Sequence, residues 1–202
     1  MAAKGRALGS DLAERSASLR RTSTKGDAMT TMATEQRTAA PTRWAVDPDK
    51  SSVEFAVKTF WGLGTVRGRF DRFDGWYETG PDDAKIELTI EADSLDTGNQ
   101  TRDKHLRSGD FFHSGEHPQL RFTSTRVHEV GDGVLHVVGE LEAAGTARQL
   151  EFPATVRPAG AALEIEATTT VDQEQFGMSS GQLGMIRKPT TLHIKAALKG
   201  DA

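Results

Sequence analysis

Residues 85–92 read Lys85-Ile86-Glu87-Leu88-Thr89-Ile90-Glu91-Ala92. Apolar and polar side chains alternate one for one. That is the period of a β-strand with one face buried and the other in water. The pattern recurs on both sides. Val53, Phe55 and Val57 alternate with Glu54, Ala56 and Lys58; Val66, Gly68 and Phe70 alternate with Arg67, Arg69 and Asp71. Leu150, Phe152 and Ala154 form one further set, Leu163, Ile165 and Ala167 another, and Leu192, Ile194, Ala196 and Leu198 a third. Runs 119–129 and 134–143 are strand-like but less clean, because His128 and His136 blur their faces.

These runs predict eight strands. Gly80-Pro81-Asp82-Asp83, Gly131-Asp132-Gly133, Ala144-Gly145 and Pro158-Ala159-Gly160 supply turn chemistry between them. Short links favour antiparallel neighbours. Strands with one apolar face each are satisfied by an all-β antiparallel barrel or a two-sheet sandwich. Eight is also the strand number at which a barrel interior can hold one small ligand. The 93–118 connection breaks the alternation. Residues 99–108 are helix-compatible, Gly109 can end the helix in the left-handed region, and Asp110 can cap a short turn carrying Phe111 and Phe112.

Composition divides the 202 residues in two. Residues 1–43 hold eight basic and four acidic residues, a net +4, which leaves −8 on the remainder of a chain whose total is −4. This segment contains no Phe, Tyr, Trp, Ile or Val, so it cannot bury enough apolar surface to order itself. It is expected to be a disordered tail; alternatively, translation starts at Met29 or Met32. Without an apolar run after its basic residues it does not read as a secretion signal, which makes the cytoplasm the default compartment. The folded unit is expected over 44–200. There are no cysteines, so neither a disulfide nor a thiolate metal site can form. The acidic balance disfavours nucleic acid as a partner, and no stretch reaches the ~18 apolar residues of a spanning helix.

Catalytic and metal chemistry find little support in the spacing. His113 and His117 flank Glu116, with His105 upstream, but Gly115 and Pro118 oppose a helix there and no H-E-x-x-H occurs. A solvated loop is the expectation, with no metal and no cofactor. Asp103 and His105 are two apart and would not face each other on a helix. Neither a G-x-S-x-G nor a phosphate-binding loop is present. Gly62-Leu63-Gly64 and residues 177–184 read as glycine-rich loops near a barrel mouth. The second of these, with Met178 and Leu183, is a candidate gate.

The chain resembles the YceI-like, polyisoprenoid-binding, lipocalin-like family over nearly all of 44–200. The resemblance rests on Trp44-Ala45-Val46-Asp47, Ser51-Ser52-Val53-Glu54-Phe55, Val66-Arg67-Gly68-Arg69-Phe70 and Phe73-Asp74-Gly75. It is most specific from Ala92-Asp93-Ser94-Leu95-Asp96-Thr97-Gly98-Asn99 through His105-Leu106-Arg107-Ser108-Gly109-Asp110-Phe111-Phe112, and closes with Phe176-Gly177-Met178. Lys50, Ala147 and Gln173 stand where the family usually has His, Thr and often Arg. This puts in doubt any head-group contact those positions would make.

The resemblance implies an eight-stranded lipocalin-like barrel whose lumen holds a long isoprenoid, a quinone-like lipid tail or another amphiphilic chain. Read alone, the alternation favours a solidly filled interior, as in many small barrels; the resemblance implies an open lumen. The expected lumen residues are Phe55, Val57, Phe70, Leu88, Ile90, Leu106, Phe111, Phe112, Phe122, Val137, Phe152, Ile165, Phe176, Leu192 and Ile194. Arg102, Asp103 and His105 are candidates for polar contacts at the mouth, though tying the helix to the barrel is their simpler role. The expected function is binding and carriage or sequestration of a chain lipid, without membrane insertion. A homodimer is compatible with the resemblance. The competing expectations are an enzyme acting on a lipophilic substrate in the same cavity, with His105 or His136 as acid/base, and a barrel with no ligand.

Overall fold

The computed structural model describes residues 42–59, 64–80, 83–178 and 189–200. The expected tail up to residue 41 and the two glycine-rich loops, but for Gly64 and residues 177–178, lie outside them; Thr42 and Arg43, placed in the tail by the sequence reading, belong to the first strand. The strands are β1 (Thr42–Val46), β2 (Ser52–Thr59), β3 (Gly64–Phe70), β4 (Phe73–Thr79), β5 (Lys85–Glu91), β6 (Leu95–Asp96), β7 (Gln119–Gly131), β8 (Val134–Ala143), β9 (Thr146–Ala159), β10 (Ala162–Val171) and β11 (Thr190–Gly200). All pairings are antiparallel, in the order β1-β4-β5-β7-β8-β9-β10-β11, and β11 returns to β1 to close the ring. The remaining strands extend this ring. β1 with β2, β3 with β4, and β5 with β6 are each one long strand broken once. The barrel therefore has eight strands, at the places where the alternation predicts them. The sequence reading omitted β1, β4 and the short β6, one segment from each of these three strands.

The three breaks sit side by side. Val53 pairs with Phe70 and Phe70 with Leu95, so the interruptions at 47–51, 71–72 and 92–94 fall at one level of the wall. Polar groups replace the missing ladder bonds, as a buried backbone requires. The Ser51 hydroxyl donates to the Asp47 carbonyl at 2.7 Å and accepts from the Ala197 N–H at 2.9 Å. Ser94 donates to the Glu91 carbonyl at 2.7 Å, and Arg72 spans the gap to Glu91 and Asp93 at 2.9 and 2.6 Å.

Two hairpins close in tight two-residue turns. Asp132-Gly133 has φ of 52° and 72°, and Ala144-Gly145 has 48° and 72°. Paired left-handed residues match the twist of the flanking strands. The connection after β6 carries α1 (Gln100–Leu106), whose N-cap Asn99 accepts from the Arg102 N–H at 3.0 Å. Here one expectation is corrected. Gly109 does not adopt the left-handed conformation, and Arg107 ends the helix with an ordinary right-handed backbone; the left-handed residues of this connection are Gly98, at φ 73°, and His113, at φ 48°.

Candidate functional site

Inward residues of all the long strands form one apolar core. It is not solid. A cavity of about 100 Å³ lies at the end that carries α1, lined by Phe55, Val57, Phe112, Phe176 and their neighbours. A second, of about 110 Å³, lies toward the opposite end, lined by Tyr77, Ile86, Leu88, Phe152, Ile165 and others. Phe70, Leu120, Leu141 and Leu192 border both cavities and form a waist between them. The interior is thus one lumen in two chambers, not one open channel.

Aromatic rings shape the first chamber. Phe55 lies 5.5 Å from Phe70, and Phe70 meets Phe112 edge to face at 5.8 Å. Two inward glycines make room for rings. A Cβ on Gly68 would stand 2.4 Å from Phe55 Cζ, and one on Gly139 2.5 Å from Phe122 Cζ. Among the described residues, the polar feature of the first chamber is the Thr190 hydroxyl, which donates to Gln173 Oε1 at 2.6 Å. In the second, burial, reinforced by the charge of Glu129, raises the Tyr77 phenol above its ordinary range.

The expected lumen residues distribute as follows. Phe55, Val57, Leu106, Phe111, Phe112 and Phe176 line the first chamber. Leu88, Ile90, Phe122, Phe152, Ile165 and Ile194 line the second, and Phe70 and Leu192 belong to the waist. Val137 is fully buried in the core but borders neither chamber. Sequence reasoning missed Leu120, Leu141 and Tyr77. It also missed the lumenal place of Gln173, which it had noted only as a departure from the family pattern.

The expected mouth residues turn instead to the chain itself. Asp103 is buried and accepts from both the N–H and the hydroxyl of Thr97. Arg102 donates to the same hydroxyl at 2.7 Å and to the Thr97 carbonyl at 2.8 Å. Arg107 grips the Asp93 carbonyl at 2.9 Å and that of Leu95. His105 is exposed, its ring 5.1 Å from Phe111. His136 lies on the outer face of β8, bonded to Glu151 at 2.8 Å. Neither histidine is among the described residues that line a chamber.

No helix among the described residues is long and apolar enough to cross a membrane.

Comparison with known proteins agrees with this architecture. The YceI-like domain is matched over residues 44–198. A UPF0312 protein of Vibrio campbellii is 34% identical over 113 residues, 54% of this chain and 59% of that protein. One from Pseudomonas paraeruginosa is 38% identical over 105 residues, 50% and 54% of the two chains. The chain thus spans somewhat over half the length of these curated relatives. Among solved structures, Burkholderia cenocepacia BcnA superposes with a TM-score of 0.69 at 21% identity, covering 75% of this chain and 98% of that one. A polyisoprenoid-binding domain from Saccharophagus degradans, implicated in plant cell wall breakdown, gives 0.66 at 14%, covering 78% and 98%. At these identities the structural likeness speaks for the fold, and the sequence match for kinship: the chain belongs to the YceI-like family.

Proposed function

We propose that this protein binds a long apolar chain lipid, of polyisoprenoid or isoprenoid-quinone type, inside the barrel and carries or sequesters it without chemical change. The observation that carries the reading is the two-chambered apolar lumen, walled by side chains that offer dispersion and desolvation rather than reactive groups. Each buried CH₂ contributes ~0.8 kcal/mol, so a few isoprene units supply useful affinity. An engineered cavity of ~150 Å³ takes up benzene, so chambers of this scale each suit a group of roughly isoprene size. A longer chain requires the waist side chains to rotate aside. The Gln173–Thr190 pair gives the α1 end of the lumen a polar spot for a head group. The polyisoprenoid-binding domain with the same fold supports the ligand class.

The test is native mass spectrometry of the purified full chain, followed by organic extraction, and then titration with isoprenoid alcohols of graded length. A chain lipid recovered unchanged, with affinity rising with length and lost in Phe111→Asp, is the expected result. Strand content by circular dichroism checks that this variant folds. Chemical turnover of the lipid, or no binding at any length, would overturn the reading.

A further inference from the structure

We propose that His113, Glu116 and His117 form a binding site for a divalent transition-metal ion of the zinc class, beside the lumen and distinct from it. The turn is closed by backbone: the N–H groups of Glu116 and His117 both return to the His113 carbonyl, at 3.0 and 2.8 Å. A helix would present His113 and His117 one turn apart. Gly115 and Pro118 oppose a helix, yet this compact turn achieves the same juxtaposition with a carboxylate added. One donor atom from each of the three side chains lies within 4.8 Å of the other two. His113 Nε2 and Glu116 Oε1 are 3.5 Å apart, and the imidazole centroids 5.8 Å apart at 76°.

Metal geometry sets what is required. Zinc–nitrogen bonds of ~2.0–2.1 Å in a tetrahedron place donors ~3.3–3.4 Å from one another. The His113–Glu116 separation of 3.5 Å comes close to this, and side-chain rotation closes the rest. Three protein ligands would leave the fourth position to water, the open arrangement of many zinc sites. Two imidazoles with one carboxylate favour zinc, copper or nickel over magnesium or calcium.

The rings are also placed by their surroundings. His117 packs over the β8–β9 hairpin so closely that a Cβ on Gly145 would lie 2.5 Å from its Cε1. On the other side, a Cβ added at Gly109 would stand 3.8 Å from Cδ2 and Nε2 of His113, ordinary van der Waals contact. His113 itself holds the left-handed backbone, an uncommon conformation for a non-glycine residue. Phe111 and Phe112, which line the first chamber, immediately precede this turn, so a bound ion would pin the end of that wall.

A second histidine pair supplies an internal control. His128 and His136 face each other across β7 and β8 at 5.0 Å, but Nε2 of His136 is bonded to Glu151 and its Nδ1 is buried. The experiment is calorimetric titration of untagged full chain with zinc chloride, with imidazole NMR to locate the ion. One ion per chain in the micromolar range or tighter is expected, with shifts at His113 and His117. His113→Asn, which keeps the left-handed backbone, and Glu116→Gln, at an exposed side chain, should each weaken binding at least about tenfold. His136→Gln should leave it unchanged. Binding only at millimolar zinc, binding insensitive to the first two variants, or binding lost in His136→Gln would each overturn the proposal.

Discussion

Tyr77 is the chain's only tyrosine, and it lines the second chamber at 6% exposure. Burial, with the negative charge of Glu129 behind it, raises its phenol above the ordinary 10.0. Folding therefore favours the neutral form. The corresponding stability is complete below the unfolded value of about 10 and is lost as pH rises through the raised folded value. The phenolate absorbance of the folded protein is expected to appear at a higher pH than in the urea-unfolded chain. Tyr77→Phe should lose less stability than wild type over that alkaline interval. Coincident titration in the two states would contradict this. Tyr77 also shows where residue-level reading stops. Trp76-Tyr77 places two aromatics in adjacent positions, and alternation cannot say which one faces in. Pairing decides it: Tyr77 stands opposite Ile86 on the lumenal face, while Trp76 receives the Arg43 guanidinium at 4.2 Å.

At the scale of elements, the 95–118 connection is held by polar groups and its hydrophobic residues take what position remains. Asp103 is central, since both donors of Thr97 end on its carboxylate. Truncation leaves those half-buried donors without their partner, at a cost toward the lower end of about 1–3 kcal/mol. Asp103→Ala should lower the urea midpoint accordingly and speed amide exchange across 97–112, with the strands β7–β11 unaffected at low denaturant. Uniform acceleration throughout the barrel would show that Asp103 serves global rather than local stability. The helix itself was legible, because the alternation breaks over 99–108; its Asn99 cap was seen only in the structure. The roles of Arg102 and Asp103 in tying it down were legible too. β1 and β4 were not. β4 places Gly75 on its inward face, where a Cβ would meet the Glu87 carbonyl at 2.4 Å, so its apolar row reads as interrupted. β1 is only five residues long and continues β2 across a break that sequence shows as an ordinary polar loop. The His113–Glu116–His117 juxtaposition was likewise illegible, because only the closed turn creates it.

For the whole molecule, the question is whether the waist is a wall or a gate. The inward rows were legible in the period of two, which fits a sandwich as well as a barrel; the family resemblance, not the alternation, pointed to the barrel. The sequence could not specify that Phe70, Leu120, Leu141 and Leu192 converge at one level, because their meeting depends on strand stagger. Leu141 is 7% exposed and borders both chambers. Leu141→Ala removes the waist's reach from β8 and leaves a larger empty volume, which should destabilise the unliganded protein by about 2–5 kcal/mol. The same change joins the chambers. If chain lipids bind along the lumen, affinity in Leu141→Ala should keep rising with chain length beyond the point where wild type levels off, and saturating long-chain ligand should restore part of the lost stability. Denaturant midpoints with and without isoprenoid alcohols of graded length measure both effects together. A stability loss with an unchanged length profile would mean the waist already opens freely in the wild type, and that chain length is selected elsewhere in the lumen.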